Sequence, residues 1–274
     1  MRRLVRSSPD KQNGDIRWDP ATGVLDARAL EGSDAIVHLA GAPIAQRWTV
    51  EHKRELLDSR VDSTSLLART IAGMSVKPSV VLSGSAIGYY GDRGDEALDE
   101  ASTSGTDFLA GVARAWEGAA APIAEAGVRL VPVRTGIVLS PKGGALAKLL
   151  PPFRLGAGGP MGGGRQWMSW ISLDDQLHAM EHALFTPAVH GPANFVAPNP
   201  VTNADFATTL GNVLHRPALI PVPGFALSLL FGEMAEATIL AGQRVRPAVL
   251  AGSGFLFSEP TLDGALRRLL NATP

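Results

Sequence analysis

The chain has 274 residues, of which 45% are hydrophobic and 19% are charged, a composition that predicts a soluble globular protein of one large domain or a domain with an appendage. Its 25 Lys and Arg balance 26 Asp and Glu, so the formal net charge is -1 and a nucleic-acid partner is not expected. The absence of cysteine excludes disulfides and thiolate sites, and no apolar segment approaches the roughly 20 residues of a membrane-spanning helix. We expect no membrane partner and, by default, a cytoplasmic location.

Short apolar runs alternate with longer windows of helical periodicity in the first part of the chain. Leu4-Val5 marks a strand that is cut off at its start, and residues 35–40 form a buried strand closed by Gly41. Apolar residues recur at helical spacing over 50–73, and residues 80–82 form the next buried strand. This alternation is typical of parallel strands joined by helices, so the predicted fold class is α/β.

The second part of the chain continues this alternation and then changes. A helix is predicted over 108–126 and a strand over 128–133, whereas the prolines and glycines after Pro141 predict a mobile loop region. Helices are expected at 173–184 and 204–214. Further prolines mark a domain boundary that divides residues 1–216 from a small appended unit at residues 217–274, in which two helical patterns surround residues 252–255.

Ligands bind doubly wound sheets outside the carboxyl ends of the strands, so the residues that follow each apolar run are the candidates for a site. Arg6 directly follows the first strand, where a guanidinium can bind a ribose 2′-phosphate, which favours NADP over NAD. An ordinary surface arginine would look the same in the sequence, so this feature alone leaves both interpretations open.

Two later strand ends carry further candidates. His38 to Ala42 supplies small residues that allow a ribose to approach the backbone, although any strand-ending turn also needs glycine. His38 itself is expected to pack within its strand. Residues 83–92 hold a cluster of hydroxyls and both tyrosines of the chain, a pattern that suits proton transfer to a substrate but also fits a polar turn with stacked aromatics.

At this segment the chain resembles the NAD-dependent epimerase/dehydratase family of the extended and atypical short-chain dehydrogenase/reductases. It is most similar to an epimerase-like subgroup with a C-terminal domain of unknown function, and the resemblance covers essentially the entire chain. The segments that carry it are Ile16–Pro20, His38–Gly41, Ser59–Val61, Ser85–Gly91, Arg134–Leu139, Gln166–Ile171, Gly232–Ala235 and Gln243–Val245.

The resemblance implies a Rossmann-like doubly wound parallel sheet and a set of site residues. Ser85 would be the catalytic serine, with Tyr89 and Tyr90 as further catalytic candidates. The cofactor-binding candidates are Arg6 at the adenosine phosphate, Trp18 and Asp19 by the adenine, Leu39, Ala40 and Gly41 along the ribose, Arg60 as a supporting helix residue, Ser83 at its strand end, and Thr135 with Gly136 beside the nicotinamide.

Two departures from the family pattern affect these expectations. The family begins with a strand and a glycine-rich turn that binds the cofactor pyrophosphate, whereas only Met1 precedes Arg2 in this sequence, so the sheet is expected to lack its first strand-turn-helix. The glycines at 156–164 follow no apolar strand and are interpreted as a substrate-side loop. The helical tyrosine-lysine pair is also missing, with Phe108 and Val112 at the approximate place.

Three functions therefore remain open. The first is an NADP-dependent oxidoreductase or epimerase acting on a small carbonyl or alcohol, with NAD as a possible cofactor. The second is a non-catalytic member that binds a nucleotide or a protein, and the third is an inactive fragment. Without the glycine turn, cofactor binding is expected to weaken about a hundredfold or more, and an open sheet is expected to lower solubility.

Overall fold

The computed structural model describes residues 2–6, 9–10 and 14–271 as an alternation of strands and helices. The strands are β1 (Arg3–Val5), β2 (Asp15–Asp19), β3 (Val24–Leu25), β4 (Ala35–His38), β5 (Val80–Ala86), β6 (Ala97–Leu98), β7 (Arg129–Thr135), β8 (Ile137–Leu139), β9 (Trp167–Met168), β10 (Trp170–Ser172), β11 (Ala193–Phe195), β12 (Val201–Thr202) and β13 (Arg244–Val245). The helices are α1 (Ala27–Leu30), α2 (Val50–Ala72), α3 (Phe108–Glu125), α4 (Gly144–Arg154), α5 (Leu173–Phe185), α6 (Asn203–Leu214), α7 (Gly224–Phe231), α8 (Ala248–Gly252) and α9 (Leu262–Leu270). A 3-10 turn at Ile87–Tyr90 and a π-helical turn at Ala235–Ile239 complete the elements.

The central sheet is parallel and has the strand order β11-β7-β5-β4. Its side chains alternate between two helical layers because successive residues of a strand point to opposite faces. Val81 packs with the residues of α2 and α3, whereas Val80 and Leu82 pack with Ala179 and Ala183 of α5. The α/β class and the doubly wound parallel sheet predicted from the sequence are confirmed.

A separate sheet holds the first three strands. β1 pairs with β2 in parallel and β3 pairs with β2 in antiparallel orientation, but in the described part of the chain neither β1 nor β2 pairs with β4. Ile16 of β2 nevertheless packs into the same hydrophobic cluster as Ile36 of β4. The sheet is therefore divided between β1 and β4, as the sequence led us to expect, and side chains bridge the division.

The segment after Pro141 corrects a prediction made from its prolines. Residues 144–154 form the helix α4 and not a loop, and its Leu146, Leu150 and Phe153 are buried at helical spacing. A proline inside a helix costs about 3 kcal/mol because it removes a hydrogen bond and crowds the preceding turn. Pro151 and Pro152 lie in the last turn, and the burial of three apolar side chains offsets that cost.

The C-terminal residues share hydrophobic clusters with the rest of the chain. Leu262 and Leu266 of α9 pack with Phe206 and Leu210 of α6, and Leu250 of α8 packs against the central sheet. The division at residue 216 stays a prediction. Of the helices formed by the described residues, none combines the length and the apolar character needed to cross a bilayer.

Candidate active site

The carboxyl ends of β4 and β5 bring the sequence-predicted segments to one edge of the sheet. The two strands are parallel neighbours, with His38 opposite Ser83. Gly41 follows β4 and Ser85 lies near the end of β5, so both come to the same sheet edge. This is the edge at which doubly wound sheets bind their ligands.

A groove of about 830 Å³ opens between the first sheet and the central sheet. Arg6, Trp18 and Asp19 lie on one wall, and Ala40 and Gly41 lie on the other. The floor is formed by one face of α2, which contributes Glu51, Arg54, Glu55, Asp58, Ser59, Asp62 and Ser63. Five of the predicted cofactor-binding residues therefore line one groove, and Leu39, half of whose surface is exposed, adjoins it.

Arg60 supports the groove from beneath. Its buried guanidinium donates hydrogen bonds to the carbonyls of Leu56 (2.9 Å) and Ala42 (3.1 Å) and stacks over the ring of Trp116. A Cβ atom at Gly41 would lie 3.0 Å from Arg60 Cζ, so glycine leaves the space that the guanidinium fills. Burial lowers the pKa of Arg60. Arg60 thus fixes the loop that carries Gly41 and Ala42 and does not itself line the groove.

His38 and Ser83 lie beneath the groove on paired strands. The Nε2 atom of His38 lies 3.1 Å from Thr64 Oγ1 and 3.2 Å from Ser63 Oγ, and burial lowers the pKa of this histidine to about 4. His38 is therefore neutral at physiological pH and packs within its strand, as predicted. The buried hydroxyl oxygen of Ser83 has no hydrogen-bond partner within the described residues.

Ser85 belongs to a buried polar network with Glu117 and Arg134. The hydroxyl of Ser85 donates to Glu117 Oε1 over 2.6 Å, and Arg134 donates through Nε and Nη2 to the two carboxylate oxygens over 2.8 and 2.9 Å. Burial lowers the pKa of Arg134, but its hydrogen bonds and Coulombic attraction to Glu117 outweigh burial and raise that pKa overall. The register of β5 against β7 places Ser85 directly opposite Arg134.

The two tyrosines differ in what their hydroxyls contact. Tyr90 is fully buried, and its hydroxyl donates to Asn194 Oδ1 (2.7 Å) and accepts from Arg134 Nη1 (3.0 Å). Burial raises the pKa of Tyr90 to about 12. Tyr89 is only partly buried, its ring lies 3.5 Å from the guanidinium carbon of Arg134, and its hydroxyl makes no hydrogen bond within the described residues. Tyr89 is thus the tyrosine whose proton can reach a ligand.

Thr135 is the last residue of β7, and Gly136 follows it at the same sheet edge. The hydroxyl of Thr135 donates to the carbonyl of Val133, and the amide of Gly136 donates to the carbonyl of Phe195. A Cβ atom at Gly136 would lie 2.5 Å from the carbonyl oxygen of Ser169. Position 136 therefore requires glycine because another backbone segment passes directly against it.

Sequence reasoning missed Glu117 and Asn194. Glu117 follows Ala110 and Ala113 at helical spacing, on the face of α3 that is buried. A carboxylate on a buried face needs a partner, and this pattern is the signal that could have identified Glu117. Asn194 gave no comparable signal, because it stands between two apolar residues of a short strand.

Helix α3 holds neither a tyrosine nor a lysine. Phe108 packs edge-on against Trp48, and the ammonium of Lys53 lies 4.4 Å from the centre of its ring. Val112 is buried. The proton-transfer groups of this site therefore have to come from elements other than α3.

A smaller cleft of about 240 Å³ lies beyond the 3-10 turn that follows Ser85. One side is formed by the turn and the start of α3, and the other by residues 233–243. The lining residues are Gly88, Gly91, Asp92, Asp107, Leu109, Glu233, Glu236, Ala237, Ala241 and Gln243. The cleft therefore offers a space for a small molecule beside the turn that carries Tyr89.

The groove fits the adenosine end of a dinucleotide better than its pyrophosphate. Arg6 offers a guanidinium for a 2′-phosphate, and the open loop at Ala40 and Gly41 allows a ribose to approach. Within the described residues, no glycine-rich turn at the start of a helix lines the groove, and four carboxylates of α2 face it. The expectation of weakened cofactor binding stays a prediction.

Comparisons with known proteins agree with this geometry. Residues 15–196 match the NAD dependent epimerase/dehydratase family, and residues 222–269 match a domain of unknown function, DUF1731. An epimerase family protein of Mycobacterium bovis is 42% identical over 265 residues, which are 96% of this chain and 87% of the relative.

Two solved structures are similar over nearly the whole chain. The human epimerase family protein SDR39U1, crystallised with NADPH, is 36% identical with a TM-score of 0.88, and the match covers 98% of this chain and 90% of the human one. A nucleoside-diphosphate sugar epimerase from Corynebacterium glutamicum is 38% identical with a TM-score of 0.78, over 97% of this chain and 52% of the other.

Proposed function

Because the chain belongs to the NAD-dependent epimerase/dehydratase family, we propose that it is an oxidoreductase or epimerase that uses NADP(H) on a small carbonyl or alcohol substrate. The observation that carries this proposal is that Gly41, which lines the groove together with Arg6, and Ser85 lie at the same edge of the sheet, at the carboxyl ends of the paired strands β4 and β5. A cytoplasmic location and the absence of nucleic-acid and membrane partners stay predictions.

The groove would bind the cofactor by its adenosine end. Arg6 would hold the 2′-phosphate, Trp18 and Asp19 would lie by the adenine, and Ala40 with Gly41 would pass along the ribose. The nicotinamide supplies hydride chemistry when it is bound. The similar human protein was crystallised with NADPH, which supports the choice of NADP over NAD.

On the substrate side, Ser85 and Tyr89 are the two groups that would contact the reacting oxygen. Ser85 is fixed by Glu117, and the hydroxyl of Tyr89 is available to give or take a proton. Tyr90 has both of its hydrogen bonds inside the core, so it would act as a positioning residue for Arg134. This division of roles refines the prediction that either tyrosine takes part.

The test of the cofactor assignment compares NADPH with NADH in fluorescence titrations of the wild type and Arg6→Ala. A charge-assisted hydrogen bond contributes about 1.5–3 kcal/mol, so loss of Arg6 should weaken NADPH binding by roughly 10- to 150-fold and leave NADH binding unchanged. Arg54→Ala is the matched control, since Arg54 lines the same groove but pairs with Asp58. Equal NADPH affinity of the wild type and Arg6→Ala would remove the assignment.

A non-catalytic nucleotide-binding function is the competing proposal, and the lack of a tyrosine and a lysine in α3 favours it. NADPH oxidation in the presence of a panel of aldehydes and ketones discriminates between the two. If the protein is an enzyme, the wild type consumes NADPH and Tyr89→Phe loses about a hundredfold or more of that rate, the scale of a general acid. A wild type that binds NADPH and reduces none of the panel favours the binding function.

A further inference from the structure

We infer that Glu117 and Arg134 hold Ser85 as a hydrogen-bond acceptor, so that this position of the site takes the hydroxyl of an alcohol substrate in preference to a carbonyl. The inference rests on the proposed function, which places the substrate at Ser85. It goes further because it assigns the direction of the hydrogen bond, and with it the chemical class of the group that binds there.

The direction follows from the single proton of the serine hydroxyl. Ser85 donates that proton to Glu117 Oε1 over 2.6 Å, a length typical of a hydrogen bond from a hydroxyl to an ionised carboxylate. A hydroxyl carries one proton and two lone pairs, so Ser85 retains only acceptor capacity toward a ligand. A substrate alcohol can donate to those lone pairs, whereas a carbonyl has no proton to give.

Arg134 restrains the orientation of the Glu117 carboxylate. Arg134 binds both oxygens of Glu117 as a two-pronged fork, and its own guanidinium is held by Tyr90 Oη at 3.0 Å and by the ring of Tyr89 at 3.5 Å. Arg134 is almost completely buried. Two parallel N–H···O bonds fix the plane of the carboxylate, so Oε1 stays directed at Ser85.

A carbonyl substrate would have to compete with Glu117 for the same proton. Hydrogen bonds to a charged acceptor are about twice as strong as those to a neutral one, and a largely buried carboxylate that loses a donor is left less satisfied. The difference corresponds to roughly tenfold in affinity. Ser85 therefore discriminates between the oxidation states of a substrate before any chemistry occurs. Tyr89, whose hydroxyl is uncommitted, is the residue that would serve a carbonyl.

Proton NMR of the folded protein tests the ground-state arrangement without a known substrate. The wild type should show a downfield, slowly exchanging hydroxyl proton that disappears in Ser85→Ala and moves upfield in Glu117→Gln, whose amide oxygen is a neutral and weaker acceptor. Ser85→Ala leaves the ion pair of Glu117 and Arg134 intact, so it decides the assignment even if Glu117→Gln fails to fold. Ser79→Ala is the matched control, because the exposed hydroxyl of Ser79 donates to the neutral carbonyl of Asp34 and its loss should leave the signal in place.

Cyclohexanol and cyclohexanone then serve as probes that differ only in the oxidation state of one carbon. Cyclohexanol should shift the Ser85 proton further downfield with an affinity roughly tenfold above that of cyclohexanone. The inference is overturned if the wild type lacks the proton, if the ketone perturbs it as strongly as the alcohol, or if neither probe reaches it. NADPH titrated into the wild type is the separate test of the proposed function, because a wild type that does not bind NADPH contradicts that function and leaves the Ser85 arrangement standing.

Discussion

Acid should destabilise this protein through His38 in particular. Burial lowers the pKa of His38 from 6.5 to about 4, since the side chain is enclosed by Trp18, Ser63 and Thr64. In the unfolded chain this histidine binds a proton below pH 6.5, but in the folded chain it stays neutral until about pH 4. The unfolded state therefore binds more protons in this window, and stability falls as the pH falls through it.

The size of the effect follows from the pKa difference. Each pH unit corresponds to 1.36 kcal/mol, so a difference of about 2.5 units removes about 3 kcal/mol of unfolding free energy between pH 6.5 and pH 4. Below pH 4 the contribution levels off, because His38 then binds a proton in both states. A loss of this size is a large part of the stability of an ordinary domain.

Urea unfolding followed by tryptophan fluorescence, repeated between pH 7.5 and pH 4, measures this loss. His38→Gln removes the titrating group and keeps an amide near Ser63 and Thr64, so its stability should decline about 3 kcal/mol less than that of the wild type. His190→Gln is the matched control for a histidine-to-glutamine exchange at an exposed position. If His38→Gln and the wild type lose stability in parallel, burial of a neutral His38 is not the cause.

Two further substitutions test positions that make close contacts with backbone atoms of another segment. Gly136→Ala places a Cβ atom 2.5 Å from the carbonyl oxygen of Ser169 and should cost about 3 kcal/mol in urea unfolding, whereas an unchanged midpoint would contradict this close contact. Asp175→Asn replaces a buried carboxylate that accepts from the amides of residues 258 and 259 and should cost about 1.5–3 kcal/mol. Amide hydrogen exchange should accelerate at those two residues, and unaltered protection there would count against the anchoring role.

Local patterns in the sequence determined the elements that build the sheet and its covering helices. The apolar runs at 35–40 and 80–82 and the helical spacing over 50–73 and 108–126 correspond to β4, β5, α2 and α3, with β5 extending four residues beyond its apolar run to Ala86. These elements could be predicted because burial of one face makes apolar residues recur with a period of two residues in a strand and 3.6 residues in a helix. The positions of Arg6, Gly41 and Ser85 at strand ends followed from the same patterns.

Tertiary structure alone decided the helix α4 and the contacts within the site. The prolines of α4 predict a loop locally, and only the burial of its three apolar side chains against α6 and β8 outweighs them. Ser85 and Glu117 are 32 residues apart, and Glu117 and Arg134 are 17 apart, so no local pattern pairs them. The register of β5 on β7 and the packing of α3 bring these groups within hydrogen-bond distance. The same packing buries the hydroxyl of Tyr90 and leaves that of Tyr89 accessible. Contacts with residues distant in the sequence determine this difference, which the local sequence of two adjacent tyrosines does not predict.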